Sequence, residues 1–253
     1  MPEPAATDNP DRQALLELQR MQQVLAHGIA HDLRAPLRVI DGFARHLEQG
    51  SGEALDADGR EQLQRIRAAA GRMGGLIDLL LDYLRAGSAE LHTEPVDLSL
   101  LADWTGAELA DADPGRVLRI DVDEGLEAWG DERQYKRLFE LLLDNATRFT
   151  PADRDVCIEV RGQREGDRLQ LRVSDHGSGF DPAYATRVFE PFQRAHGSDA
   201  GGGHGMGLAV AKAIVERAGG HIHAAPVPGE GCTIHVELPA SAPAPAPGAP
   251  ASG

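Results

Sequence analysis

Residues 25–47 read LAHGIAHDLRAPLRVIDGFARHL, an apolar rhythm of helical period that also carries three histidines, three arginines and an internal proline. At about 100° per residue, Ile29, Leu33, Leu37, Ile40, Ala44 and Leu47 fall within an arc of roughly 80°, and His27, His31, Arg34, Arg38, Asp41 and Arg45 gather opposite. His31 therefore points away from the apolar stripe, which disfavours a core role and leaves a solvated or a reactive one. Pro36 has no N–H to give the carbonyl of Asp32, so the turn after His31 is expected to lose a hydrogen bond and bend. His46 also lies off the stripe, near the helix end, where a solvated role fits.

Upstream, Ala14, Leu18, Met21 and Leu25 continue the spacing, so one long helix is expected from Ala14 to Leu47. The break QGSGEALDAD at 49–58 precedes a second pattern, Leu63, Ile66, Ala70, Met73, Ile77, Leu80 and Leu84, in three-four alternation. Two such helices joined by a short loop make an antiparallel hairpin. A hairpin this small buries little alone, so a second copy completing a four-helix bundle, a homodimer, is the natural arrangement. A monomeric hairpin packed on the next domain is the alternative.

After AGSAELHTEPVDLS at 86–99 the pattern becomes mixed. RVLRIDVDE (116–124) and CTIHVELP (232–239) read as strands, and DVCIEVRGQREGDRLQLRVSD (155–175) as a hairpin turning at Glu165–Gly166–Asp167. Helices are expected at DERQYKRLFELLLDNATRF (131–149) and MGLAVAKAIVERAGG (206–220). This predicts an α/β sandwich with helices on one face of a mostly antiparallel sheet, so the whole chain is α+β. Its boundaries are a helical hairpin at 12–86, the sandwich at 97–239 and a disordered Pro/Ala-rich tail at 240–253.

The chain has 25 Lys and Arg against 40 Asp and Glu, a formal charge of −15, which argues against nucleic acid as a partner. Only Cys157 and Cys232 are present, without metal-ligand spacing, as suits a reducing compartment. No apolar run approaches the roughly 18 residues of a membrane span, and MPEPAATDNPDR does not resemble a signal peptide, so a cytoplasmic location is expected. Two glycine clusters carry the chemistry of the second region: DHGSGF (175–180) after a strand, and GGGHGMGL (201–208) opening a helix. Backbone N–H groups and the helix dipole let an acidic chain hold a polyphosphate there. A Gly-rich loop alone is more often only flexible, and neither cluster matches the GxxxxGK[ST] loop or the dinucleotide fingerprint. Asn145, at the end of the Leu-rich run ELLLDNATRFT (140–150), is either a helix-terminus cap or a metal ligand.

Together, HDLRAPL, ELLLDNATRFT, DHGSGF, VFEPFQR and GGGHGMGLAVAKAIVERAGG stand in the order of the H, N, G1, F and G2 boxes of two-component sensor histidine kinases. The resemblance spans residues 12–239, and HDLRAPLRVIDGF is most similar to kinase modules behind PAS or phytochrome sensors. It implies a dimerization and phosphoacceptor hairpin followed by an ATP-binding domain of the gyrase, Hsp90 and histidine kinase type. His31 would be the phosphoacceptor, with Asp32 able to hydrogen-bond the other ring nitrogen and accept its proton. Asn145 would coordinate Mg²⁺, and Arg148 would help neutralise phosphate. Asp175 would accept from the adenine amino group, with Gly177 and Gly179 letting the backbone approach the base. Gly203, Gly205 and Gly207 would form a mobile lid over the phosphates. Phe189 and Phe192 would pack that lid, and Arg194 would reach the γ-phosphate. The implied partners are a response regulator receiver domain and an upstream sensor protein.

Two positions depart from the family pattern. Leu141 stands four residues before Asn145, where the family usually has a second Asn or another polar group, and Glu140 is displaced by one position. Ala35 stands four residues after His31, where Thr or Asn commonly positions a water for dephosphorylating the partner. A catalytically weak scaffold or phosphotransfer protein, binding partners through the bundle, is the alternative reading. A different ATPase or protein-serine kinase of the same nucleotide fold would lack the His-bearing hairpin.

Overall fold

The computed structural model describes residues 10–51, 55–87, 91–195 and 203–242. The chain divides after Ser88 into two compact units.

The first unit is a hairpin of α1 (Pro10–Ser51) and α2 (Ala57–Ala86). Asp56 caps α2 by accepting from Gly59 N at 2.8 Å, and Asp58 in the first turn complements the helix dipole. The expected single stripe on α1 divides in two. Ala30, Leu37 and Ala44, seven residues apart, are buried with Leu63, Ala70, Ile77 and Leu81 of α2. Leu33, Ile40 and Leu47, three positions later in each heptad, are exposed, as are Ile66, Met73 and Leu80 on α2. The small Ala30, Ala44 and Ala70 stand in this seam, which uses one heptad position on α1 and, through Leu81, a second one on α2. Ion pairs flank that seam: Arg34 with Asp78, and Arg67 with Asp41 at 3.3 Å and Glu48 at 2.6 Å. Helix α1 runs through Pro36 without interruption.

The second unit is a helix-on-sheet sandwich. Its elements are β1 (Glu94–Asp97), α3 (Leu98–Ala112), β2 (Leu118–Val122), β3 (Glu127–Gly130), α4 (Glu132–Phe149), β4 (Val156–Glu165), β5 (Arg168–Asp175), α5 (Gly207–Arg217), β6 (His221–Val227) and β7 (Gly231–Pro239). Two short 3₁₀ turns, Pro182–Tyr184 and Arg187–Phe189, lie between β5 and α5. The five-stranded sheet runs β2-β4-β5-β7-β6, with β2 parallel to β4 and the other neighbours antiparallel, while β1 and β3 pair separately. Alternation places Val156, Ile158, Val160, Leu169, Leu171, Val173, Ile234, Val236 and Leu238 on the buried face. Onto it pack Leu138, Phe139, Leu142 and Leu143 of α4 and Val210, Ile214 and Val215 of α5. The opposite face carries Arg161, Arg172, His235 and His223 in register, and the two imidazoles stack 4.5 Å apart.

The turn between β4 and β5 falls at Gly166 and Asp167, as the sequence predicts. The structure adds β1, α3, β3 and the edge strand β6, in which Pro226 brings no N–H to the ladder. Ala240 N donates to Asp167 O at 2.8 Å, so the first residue assigned to the tail is tied to the sheet. Residues 243–253 of the expected tail lie outside the described residues.

Candidate phosphoacceptor and nucleotide site

His31 follows Ala30, which is buried in the hairpin seam, so the next side chain along the helix turns outward. Its side chain is 73% exposed, and its Nδ1 lies 3.2 Å from Asp32 Oδ1. A carboxylate there favours hydrogen on Nδ1 and leaves the Nε2 lone pair facing outward. Ala35, one helical turn on, is exposed and offers only a methyl group.

In the second unit the candidate residues come from four places. Asn145, half-buried, and Arg148, exposed, lie in the last turns of α4, and Arg148 pairs with Asp144 at 2.7 Å. Asp175 ends β5. Its Oδ1 accepts from Gly177 N at 2.9 Å and Cys232 N at 3.2 Å, and among the described residues its Oδ2 has no protein partner. Burial pushes the Asp175 carboxyl above the ordinary carboxylate range, while the two backbone donors pull it back. The Cys232 thiol beside it is pushed up to about 12 by burial and the Asp175 charge, so it is inert.

Three of the glycines prove to be required by the protein's own backbone. Gly179 has a φ of 57°, and a Cβ there would lie 2.0 Å from Val227 O. A Cβ on Gly177 would lie 2.7 Å from Phe149 O, to which Ser178 N donates at 2.9 Å. Gly205, φ 67°, is wedged against Gln193 O and Phe192 C, which an added Cβ would meet at 2.6 and 2.9 Å. A Cβ on Gly203 would lie 3.5 Å from Arg148 Nη1, so the second glycine cluster runs beside that guanidinium. Gly207, at the start of α5, has ordinary room toward Leu141 Cδ2 at 3.7 Å.

The two phenylalanines differ from their expected common role. Phe189 is buried, whereas Phe192 is 59% exposed and takes a φ of 64°, a backbone conformation that costs a residue with a Cβ about 1–2 kcal/mol. Arg194 is half-buried close to the end of the described stretch. Sequence reading missed Arg116. Its Nη1 donates to Thr147 O at 2.8 Å, and its Nη2 to Thr150 O at 2.5 Å and Pro151 O at 3.0 Å. It thus satisfies carbonyls at the end of the helix that bears Asn145 and Arg148.

Among the described residues no group of three or more His, Cys, Asp or Glu could hold a metal ion. The donor set fits Mg²⁺ only in the manner of nucleotide sites, where one or two protein oxygens supplement phosphate and water. Asn145 could supply one such oxygen. Leu141, one turn earlier and 7% exposed, supplies none. A cavity of about 330 Å³ lies at the opposite ends of the helices, lined by Trp129, Tyr135, Ile214 and Pro239 among others, and none of the candidate residues reaches it.

An exposed, carboxylate-paired histidine on a helical hairpin, followed by a glycine-lined sandwich with a half-buried aspartate acceptor, defines a phosphoacceptor domain followed by an ATPase-type domain. Residues 16–89 match the His Kinase A (phospho-acceptor) domain, and residues 130–242 match the histidine kinase-, DNA gyrase B-, and HSP90-like ATPase. The chain belongs to the two-component sensor histidine kinases. It is 31% identical over 214 residues to the phytochrome-like protein Cph1 of Synechocystis sp., covering 85% of this chain and 28% of that protein. It is 32% identical over 232 residues to the sensor protein DivL of Caulobacter vibrioides, covering 89% of this chain and 29% of DivL. The chain thus spans under a third of the length of these curated relatives. Among solved structures, full-length ShkA in complex with AMPPNP superposes with a TM-score of 0.64 at 26% identity, covering 87% of this chain and 46% of ShkA.

Proposed function

We propose that the protein is an ATP-dependent protein-histidine kinase that phosphorylates His31 from Mg-ATP and passes the phosphoryl group to an aspartate of a response regulator receiver domain. The observation that carries this reading is the His31–Asp32 pair, exposed on its hairpin, in a chain whose other unit keeps Asp175 Oδ2 open in a half-buried, glycine-lined place. ATP supplies the phosphoryl group and ADP as the leaving group. Asp175 holds the adenine amino group through Oδ2, and Arg148 with the N-terminus of α5 offsets phosphate charge. Asn145 holds Mg²⁺. Asp32 keeps hydrogen on Nδ1 of His31 while Nε2 bonds to phosphorus, and it stabilises the cationic ring that results.

The exposed heptad residues Leu33, Ile40, Leu47, Ile66, Met73 and Leu80 support a homodimer, since a second hairpin offers the same apolar rows. A cytoplasmic setting is supported by the two free cysteines and by the absence, among the described residues, of any helix long and apolar enough to cross a membrane. The kinship with Cph1 and DivL supports an upstream sensor as the source of the signal. Leu141 favours one second reading, a weak kinase that serves mainly as a phosphotransfer scaffold.

Incubation with γ-labelled ATP and Mg²⁺ tests the proposal. Acid-labile label is expected on the wild type and absent from His31→Gln, with nucleotide binding kept in both. Label on another histidine of the variant sinks the assignment of His31, and no label on the wild type favours the scaffold.

A further inference from the structure

Helix α4 leaves several of its last carbonyls to a side chain from far back in the sequence. Pro151 disfavours helical geometry in the residue before it, and Thr150 is extended, with φ −84° and ψ 126°. The helix therefore ends without the left-handed turn that returns N–H groups to the final carbonyls. Thr150 Oγ1 donates to Ala146 O at 2.8 Å. The carbonyls of Thr147, Thr150 and Pro151 are gathered by one guanidinium, that of Arg116, from the turn before β2. Arg116 Nε is shielded and has no hydrogen-bond partner. Closing a helix with a partly sequestered cation costs more than closing it with a glycine, so the placement of this end matters beyond its own hydrogen bonds.

The end so fixed is shared by two groups of candidate residues. Asn145 and Arg148 stand in its last turns. Beyond them, Phe149 O accepts from Ser178 N at 2.9 Å, and a Cβ on Gly177 would meet the same oxygen at 2.7 Å. Gly177 N in turn donates to Asp175 Oδ1 at 2.9 Å. Contacts thus run from Arg116 through residues 147–151 to Asp175, although Arg116 touches only backbone oxygens of that segment. We propose that Arg116 is a positioning residue for nucleotide binding, fixing Asn145 and Arg148 on the helix end relative to Asp175 on the loop that leans on it; this rests on the ATP-binding reading above. In that reading Asp175 meets adenine and the other two meet the Mg-phosphate end. A ligand spanning both groups depends on their relative placement, and a ligand touching one does not.

The experiment measures the affinity of the full chain for ATP and for adenosine by calorimetry with Mg²⁺ present, in the wild type, Arg116→Gln, Asn145→Ala and the double variant. Coupling within one hydrogen-bonded network corresponds to a change of about tenfold. That loss is expected for ATP in Arg116→Gln, with adenosine affinity unchanged. In the Asn145→Ala background the same substitution is expected to cost less, because a group it positions is gone. A purely structural role lowers the melting temperature and produces neither result. ATP affinity within about twofold of the wild type in Arg116→Gln overturns the proposal, as do an equal fall for adenosine and an equal loss for ATP in both backgrounds. Arg116→Lys, which keeps the stem and the charge and gives up the planar fork, is held to the same criteria should the Gln chain fail to fold. A wild type that binds no ATP overturns the ATP-binding reading itself.

Discussion

Leu33 and Leu37 stand one turn apart on α1 and face different surroundings: Leu37 is 8% exposed in the seam against α2, and Leu33 is 45% exposed. The separation of the two rows predicts separable defects. Ile40→Glu, in the outer row, is expected to halve the mass in solution measured by light scattering while helicity is kept, because a charge cannot be buried between two hairpins. Leu37→Ala is expected to lower hairpin stability by about 2–4 kcal/mol in denaturant unfolding, through lost burial and a cavity. A wild type already monomeric at high concentration removes the dimer.

Asp175 predicts opposite effects on stability and binding. Its carboxyl is raised in the folded state, so this group favours folding below the unfolded carboxylate range and loses that contribution as pH rises through the folded value. At neutral pH the ionised, buried carboxylate is therefore a cost. Asp175→Asn removes it, and its melting temperature at neutral pH is expected to equal or exceed that of the wild type. ATP affinity is expected to fall about tenfold or more, because the amide presents donor hydrogens where the adenine amino group needs an acceptor. Unchanged affinity by calorimetry counts against this placement of adenine.

Leu141→Asn restores the side chain usual for the family at the cost of a buried apolar contact. The expected result is a lower Mg²⁺ concentration for half-maximal autophosphorylation, together with a loss of about 1–3 kcal/mol in stability from burying an amide at a site 7% exposed. A Mg²⁺ requirement that does not move shows that Asn145 and phosphate complete the coordination unaided.

Ala35 bears on the fate of the partner's phosphate. A hydroxyl or amide one turn beyond His31 can hold a water in line with the phosphorus of an aspartyl phosphate, and a methyl group cannot. The unmutated protein is expected to leave a phosphorylated cognate receiver nearly untouched, and Ala35→Thr or Ala35→Asn to speed its loss of label with autophosphorylation roughly unchanged. Strong dephosphorylation by the wild type, with reverse transfer to His31 blocked, removes this role from position 35.

The hairpin was legible because Leu63, Ala70 and Ile77 recur at a period only a helix satisfies, and the sandwich because turn residues separate strongly alternating runs. The division of the α1 stripe was not legible. Leu33 and Leu37 are the same residue type, and which row α2 covers is set by how the two helices pair rather than by the row itself. The strands β1 and β3 escaped because each is four residues long, carries Pro95 or Gly130, and pairs with the other across α3 and β2, and β6 escaped because Pro226 interrupts its pattern. In the candidate site, the glycine clusters were visible as composition, yet the contacts of Gly179 with Val227 and of Gly205 with Gln193 join segments remote in sequence. Arg116 carries no local signal, since its significance lies in which carbonyls the fold brings to it.

Pro226 bears on what the molecule refuses to join. Strand β6 ends the sheet, and an open strand edge invites a foreign strand to continue it, the first step of fibrous aggregation. A residue without an N–H deprives such an intruder of one donor and breaks the template where β6 approaches its turn. On this side the sheet thus ends in a strand whose outer edge is blunted by a residue of its own.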